Sequence, residues 1–392
     1  MSDVPHLRFP EFSGEWEEHT LSEYLEFKNG LNPDAKRIGS GLPFISVMDI
    51  LSERVIHYDN IRGKVDATEK EIECFGVKDG DLLFQRSSET LEDVGRANVY
   101  MDNRTAIYGG FVIRGRKIGN YDSLFFKYLL ATPLARKRTC RMGAGTQHFN
   151  IGQEGLSKIS LYFPSIEEQK KIAALLSLID ERIATQNKII EDLKKLKSAI
   201  IEMEYGPKTK VFSRIGDFIE QTSKRNKNNA IQNVLSVSNR QGFIKQCEQF
   251  EDRNVASDDT SNYKIVKRND FAFNPARINV GSIARLTTYE SGIVSPMYIC
   301  FRTKNDILPE YLDYYFESYN FFTKIQKRLE GSVRQCLSYD GLCNVPLSVP
   351  EIKQQRRISV QLSTMDQKIK TEIAILELLR EQKIHLLRQM FI

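Results

Sequence analysis

Apolar residues recur at every third or fourth position along two stretches of the chain. In the first, Ile172, Leu176, Ile179, Ile183, Ile190, Leu193 and Ile200 step along one helical face, with Gln186 as a polar break. In the second, Ile358, Leu362, Met365, Ile369, Leu376, Leu379 and Leu386 do the same, with Glu372 at the matching break. Seams of this period over four or more heptads predict long helices that pair as a coiled coil. Each opens after a proline, Pro164 or Pro350, and the first carries Glu167 and Glu168 where the free amides of a helix start favour negative charge.

The rest of the chain is patterned differently. The runs LPFISVMDI, GDLLFQR, RANVYM, YGGFVIRGR and ISLYFP are apolar or β-branched and bounded by Gly, Asp or Asn, which predicts strands. Residues 121–138 and 308–329 have helical spacing, each ahead of a glycine-containing motif. This predicts two mixed α/β units of roughly 150 residues each, a usual size for one hydrophobic core.

The two halves are copies. Aligned without gaps, residues 164–205 and 350–391 share about 13 identities, among them Gln169/Gln355 and Asp180/Asp366. The correspondence extends upstream: GTQHFNI lies 186 residues before GSVRQCL, and GDLLFQRS, FISV and LSEYLEF resemble NDFAFNPA, VLSV and IGDFIEQ. The expected organisation is a globular unit at 1–163, a long helix at 164–206, a second unit at 207–349 and a second helix at 350–392. An internal repeat of this kind predicts an approximate two-fold arrangement.

Composition narrows the class. With 41% hydrophobic and 27% charged residues the chain is expected to fold rather than remain disordered. Six scattered cysteines form no CxxC pair and five histidines are equally dispersed, so no metal site is expected. Neither a signal peptide nor a membrane-spanning apolar run is legible, and the expected location is cytoplasmic. The net charge of +5 permits an anionic partner without requiring one.

The position of the charge is more informative than its sum. Residues 165–205 hold 7 basic against 8 acidic residues, and 351–392 hold 8 against 5, so neither helix is a basic stripe. Basic residues instead sit among Gly, Ser, Asn and Gln in turn-like stretches of both units. Arg can bond guanine, and Asn or Gln adenine, in bidentate fashion, while hydroxyls suit phosphates or bases. The candidate DNA-contacting residues are Arg86, Ser87, Ser88, Arg96, Arg141, Thr146, Gln147 and His148 in the first unit. In the second they are Asn239, Arg240, Asn274, Arg277, Arg334 and Gln335.

Catalytic signatures are not legible. There is no GxxxxGK[ST] loop, Gly-x-Ser-x-Gly elbow or His-Glu-x-x-His helix, and FNPAR (273–277) lacks the second proline and aromatic of an adenine-methyltransferase motif. The acidic stretch FEDRNVASDD (250–259) lacks the accompanying lysine pattern of a nuclease. A self-contained restriction or methylation enzyme, and a coiled-coil scaffold that does not read DNA, are the alternative readings.

Two variable α/β units alternating with two repeated long helices resemble the specificity subunit of type I restriction–modification systems. The motifs that carry the resemblance are the helix openings Pro164–Ile172 and Pro350–Ile358, the strands at 109–116 and 295–302, and the opening VPHLRFPEFSGEWEEHTLSEY. The resemblance implies an α+β fold with two target recognition domains and two antiparallel coiled-coil helices that set their spacing. It implies a non-catalytic chain that reads a bipartite sequence in double-stranded DNA and assembles with two modification (methyltransferase) subunits and with restriction (motor-nuclease) subunits. No cofactor is expected in this chain; S-adenosylmethionine, ATP and Mg²⁺ would belong to those partners. GSVRQCLSYDGL is a looser glycine motif than GAGTQHFNIGQ, so the corresponding positions in the second unit are the less firmly implied.

Overall fold

The computed structural model describes residues 4–207, 213–239, 241–246, 259–331 and 335–392. The chain forms two compact units, residues 1–188 with 374–392, and residues 189–373. The long-helix segments expected as separate domains are thus each divided between the two units.

In the first unit a four-stranded antiparallel sheet comprises β1 (Leu25–Asn29), β2 (Leu82–Gln85), β3 (Ala97–Val99) and β4 (Val112–Lys117), in the order β1-β4-β2-β3. β2, LLFQ, is buried throughout, as a central strand covered on both faces must be. Its register sets Leu82 opposite Gly115 and Gln85 opposite Val112. A smaller sheet places Ile38–Ile45 between Lys64–Val65 and Ile107–Tyr108. Next comes α1 (Ser123–Ala131), its start capped by Asp122, which accepts the Phe125 amide at 2.8 Å.

The single helix expected over 121–138 is in fact two. Pro133 has no N–H to continue the ladder, and the Thr132 hydroxyl caps a new helix, Pro133–Met142. The segment at 308–329 divides in the same way, with Ser318 as the second cap. The first long helix, α2, spans Ile166–Tyr205.

The second unit repeats the plan. Strands β5 (Ile219–Thr222), β6 (Phe271–Phe273), β7 (Ile283–Arg285) and β8 (Ile299–Thr303) form an antiparallel sheet in the order β5-β8-β6-β7. Beside it lies a second sheet of Gly242–Lys245, Val234–Ser238, Ser291–Val294 and Lys264–Lys267. α3 (Pro309–Phe316) occupies the place of α1, and the second long helix, α4, spans Ile352–Gln389. The sequence repeat is therefore a repeat of strand order.

The long helices are attached to the sheets by one device used twice. Gln169 donates to the Pro164 carbonyl at 2.9 Å and accepts the Asp122 amide at 3.0 Å. Gln355 donates to the Pro350 carbonyl at 2.8 Å and accepts the Leu308 amide at 2.8 Å. Both side chains are buried, so each amide group ties a helix start to the chain just before α1 or within the turn before α3.

The apolar seams are buried as expected: Ile172, Leu176, Ile179, Ile183, Ile358, Leu362 and Ile369 are all covered, and Met365 is half-buried. Their role is wider than helix pairing. Ile358 and Leu362 enter one core with Phe271, Phe273, Phe301, Tyr311 and Tyr315, together with Ile201 and Tyr205 of α2. The first turns of α4 lie over the sheet side of the unit, so the same residues that face the other helix also close the domain.

The two long helices meet through matching polar groups, with their roles exchanged between units. In the first unit Asp180 of α2 accepts from Tyr128 at 2.9 Å and pairs with Lys383 of α4 at 2.5 Å. In the second, Asp366 of α4 accepts from Tyr314 at 2.8 Å and pairs with Lys197 of α2 at 2.7 Å. Antiparallel helices carrying a 186-residue repeat would place their equivalent residues in this way.

Candidate nucleic-acid interface

Three segments of the first unit converge on Arg86, the residue that follows β2. Its amide donates to the Phe111 carbonyl at 2.9 Å, its guanidinium reaches the Gly110 carbonyl at 3.4 Å, and its carbonyl accepts the Ile151 amide at 3.0 Å. Ser87 and Ser88 then pair with Asn150 and Phe149 as a two-residue ladder, and the Ser87 hydroxyl bonds the Asn150 side chain at 2.5 Å. The expected contacts at 86–88 and 146–148 are thus brought into one place.

The glycine motif is a closed loop. Ala144 and Asn150 exchange both backbone hydrogen bonds at 2.9 Å, so residues 145–149 project from a fixed base. Gly145 has φ +141°, and a Cβ there would collide with the His148 carbonyl. Only glycine suits that backbone. Thr146, Gln147 and His148 are exposed at the tip.

Arg96 lies near this group through the Gln85 amide, which bonds the Arg96 carbonyl at 2.8 Å. Its guanidinium pairs with Asp93 at 2.7 Å, so part of its charge is already met within the chain. Arg141 is exposed in the last turn of the Pro133–Met142 helix, immediately before the loop.

The second unit builds the same base from different residues. Glu330 and Cys336 exchange backbone bonds at 2.9 and 2.8 Å, and the Leu337 amide bonds the Pro275 carbonyl at 3.0 Å. Gly331 has φ +110°. The looser motif read in GSVRQCL therefore closes the same loop, because the closure depends on backbone pairing and one glycine. Gln335 is exposed there, while Arg334 and Arg240 lie outside the described residues, as do 250–258 of the acidic stretch.

Asn274 corrects one expectation. It is buried, and its side-chain oxygen accepts the Ala276 amide at 3.1 Å, so it shapes the turn and does not project from it. The exposed group of that turn is Arg277. Its carbonyl accepts the Ser282 amide at 3.1 Å, and Asn239 lies exposed in the turn facing Gly281. An Asn after a strand reads equally well as a base contact or an Asx turn, and only the burial separates the two.

Electrostatic strain lies beneath the site and not in it. Burial pushes the carboxyl of Asp81, which caps the turn before β2, upward although Arg116 stands 3.3 Å away. Asp270 is raised for the same reason beside Arg302. Both accept the amide three residues earlier, at 2.8 and 2.9 Å, so they serve as turn anchors in equivalent places.

Among the described residues there is no group of three or more His, Cys, Asp or Glu side chains placed to hold a metal ion. None of their helices is long and apolar enough to cross a membrane.

Residues 13–195 match the family described as type I restriction modification DNA specificity domain. A putative type I restriction enzyme MjaX specificity subunit from Methanocaldococcus jannaschii is 27% identical over 198 residues, covering 49% of this chain and 46% of that protein. The MjaVIII specificity subunit of the same organism is 26% identical over 201 residues, covering 50% of this chain and 42% of the relative. The matched stretch is thus less than half the length of these curated relatives. The crystal structure of the type I restriction–modification S subunit from M. genitalium superposes with a TM-score of 0.61 over 99% of both chains at 15% identity, a likeness of fold.

Proposed function

We propose that this chain is a type I restriction–modification specificity subunit and that each of its two units reads one half of a bipartite DNA sequence, a reading supported by the family match over residues 13–195 and by the similar specificity subunits. The observation that carries this reading is the convergence, in both units, of an arginine-bearing turn and a closed glycine loop on the same strand end. Arg86, Ser87, Ser88, Thr146, Gln147 and His148 present guanidinium, hydroxyl, amide and imidazole groups on backbone that is already fixed. Arg277, Asn239 and Gln335 are their counterparts. Donors held this way lose little entropy when they meet base edges or phosphates.

In this reading the chain itself makes and breaks no bond. Its paired helices set the spacer between the two half-sites. The duplicated helices dock two modification subunits, and restriction subunits join for cleavage. S-adenosylmethionine, ATP and Mg²⁺ are bound by those partners, in the cytoplasm.

Methylation mapping of a genome expressing this chain with its modification subunit tests the proposal. A two-part motif with a fixed spacer is the expected result. A continuous motif, or methylation independent of this chain, would overturn it.

A further inference from the structure

The turn leading into β4 in the first unit and into β8 in the second carries a bulky apolar side chain exposed to solvent. Phe111 is 69% exposed in the first unit and Met297 is 57% exposed in the second. They stand 186 residues apart, the interval of the helix repeat, although the surrounding residues, GGFVI and SPMYI, are alike only in their final isoleucine. A single exposed apolar side chain is ordinary, and what marks these two is their recurrence at the equivalent turn of both units.

Both sit at the site already described. The β2–β4 register, with Gln85 opposite Val112, continues to Arg86 opposite Phe111, where the Arg86 amide bonds the Phe111 carbonyl. The β6–β8 register sets Phe273 opposite Ile299, and Met297 lies two residues before Ile299, in a turn closed by the Tyr298 amide on the Ser295 carbonyl at 3.1 Å as the Val112 amide closes the first turn on the Gly109 carbonyl at 2.9 Å. On the first side the turn is held tightly, since a Cβ on Gly110 would overlap the side chain of Asn32. Phe111 is thus fixed at its backbone and free at its ring.

We infer that Phe111 and Met297 are apolar wedges, each set against a base step of its half-site, while the neighbouring polar groups read base edges. The inference rests on the DNA-reading proposal and adds to it a contact that carries no charge. Rings and thioethers placed against bases gain from stacking and dispersion, and wedges of this kind unstack a step and open it to its neighbours. The alternative, a hydrophobic contact to a protein subunit, would not account for Phe111 following directly on the carbonyl that Arg86 bonds, nor for Met297 standing at the equivalent turn before β8.

The test uses the full chain assembled with its modification subunits and a duplex carrying the mapped motif. Phe111→Ala should weaken binding about tenfold, the size of one lost stacking contact. The dependence of binding on salt should not change, because no phosphate contact is removed. Phe111→Leu should recover part of the loss. Phe111→Trp should show indole emission quenched on adding the duplex, and Met297→Ala should act on the other half-site. Unchanged affinity for both alanine variants on a duplex that the wild type binds would overturn the wedge and leave the reading of DNA intact. Loss of subunit assembly with DNA binding retained would overturn it in favour of a protein contact. A wild-type complex that shows no salt-dependent affinity for the duplex would overturn both.

Discussion

Lys383, near the end of α4, lies 2.5 Å from Asp180 in the middle of α2, and the Tyr128 hydroxyl completes the same carboxylate. Lys127 stands 4.0 Å from that carboxylate as well, so one acidic group serves two cations. Asp180→Ala would leave both lysines facing each other. The cost should be about 2 kcal/mol, below that of a fully buried pair because Asp180 keeps some contact with water. Tyr128→Phe should cost about 1 kcal/mol, one hydrogen bond. Asp366→Ala should cost less than Asp180→Ala, because Lys197 keeps Glu317 at 2.8 Å. Thermal unfolding of the three variants orders them; an equal loss for both aspartates would contradict the geometry.

Lys127 also predicts a pH dependence. Burial, ahead of the influence of Asp180, Lys383 and Glu53, brings its ammonium down to about 8. Between about 8 and the ordinary lysine value of about 10.4 the unfolded chain holds a proton that the folded one has lost. Stability therefore rises with pH across that window, and the penalty is present in full below it. Lys127→Met should be more stable than wild type at pH 7 and should lose that rise. Urea unfolding at pH 7, 8, 9 and 10 measures the difference, and parallel curves would refute it.

The glutamine ties should matter more than any surface ion pair. Gln169→Ala would strand the Asp122 amide and the Pro164 carbonyl, and Gln355→Ala the Leu308 amide and the Pro350 carbonyl. Each should cost about 2–3 kcal/mol. In a unit of this size that lowers the melting midpoint by about 2–4 °C per kcal/mol. A shift within a degree of wild type would show that water replaces the amide.

Arg277 and Asn274 should separate contact from scaffold. Arg277→Ala should leave the melting midpoint unchanged and weaken binding to one half-site about tenfold. Asn274→Ala should lower the midpoint first, since its side chain holds the turn. In the other half-site, Arg86→Ala should weaken binding with only a small thermal change, because its backbone bonds to Phe111 and Ile151 remain and only the 3.4 Å guanidinium bond to the Gly110 carbonyl is lost. Calorimetry beside a binding titration distinguishes the cases, and a binding loss for Asn274→Ala with no thermal change would reverse their roles.

The long helices were legible in the residues, because a three- and four-residue period sustained along each seam fits a helix and little else, and so was the duplication. The division of the 121–138 helix was not, since Pro133 is tolerated at a helix start and only the cap at Thr132 shows which start it is. Arg86 and Arg277 were found by residue type, and Asn274 was misread by the same criterion. Type records what a side chain can bond, while exposure decides whether water or the chain's own backbone receives it. Phe111 and Met297 carried no signal, because an apolar residue among strands is expected to be buried and pattern alone does not mark these two as facing outward.

The division of the chain has a consequence for its synthesis. Residues 374–392 belong to the first unit, and Phe391 stacks on Phe125 at 5.4 Å beside Trp16. Those residues leave the ribosome after the entire second unit. The domain begun first is therefore finished last, and the usual order of folding from the N-terminus cannot bring it to completion. Until Phe391 emerges, Phe125 and Trp16 lack the ring that packs on them. A chain cut short soon after residue 373 would have its second unit whole and its first unit open, a natural substrate for chaperone or protease.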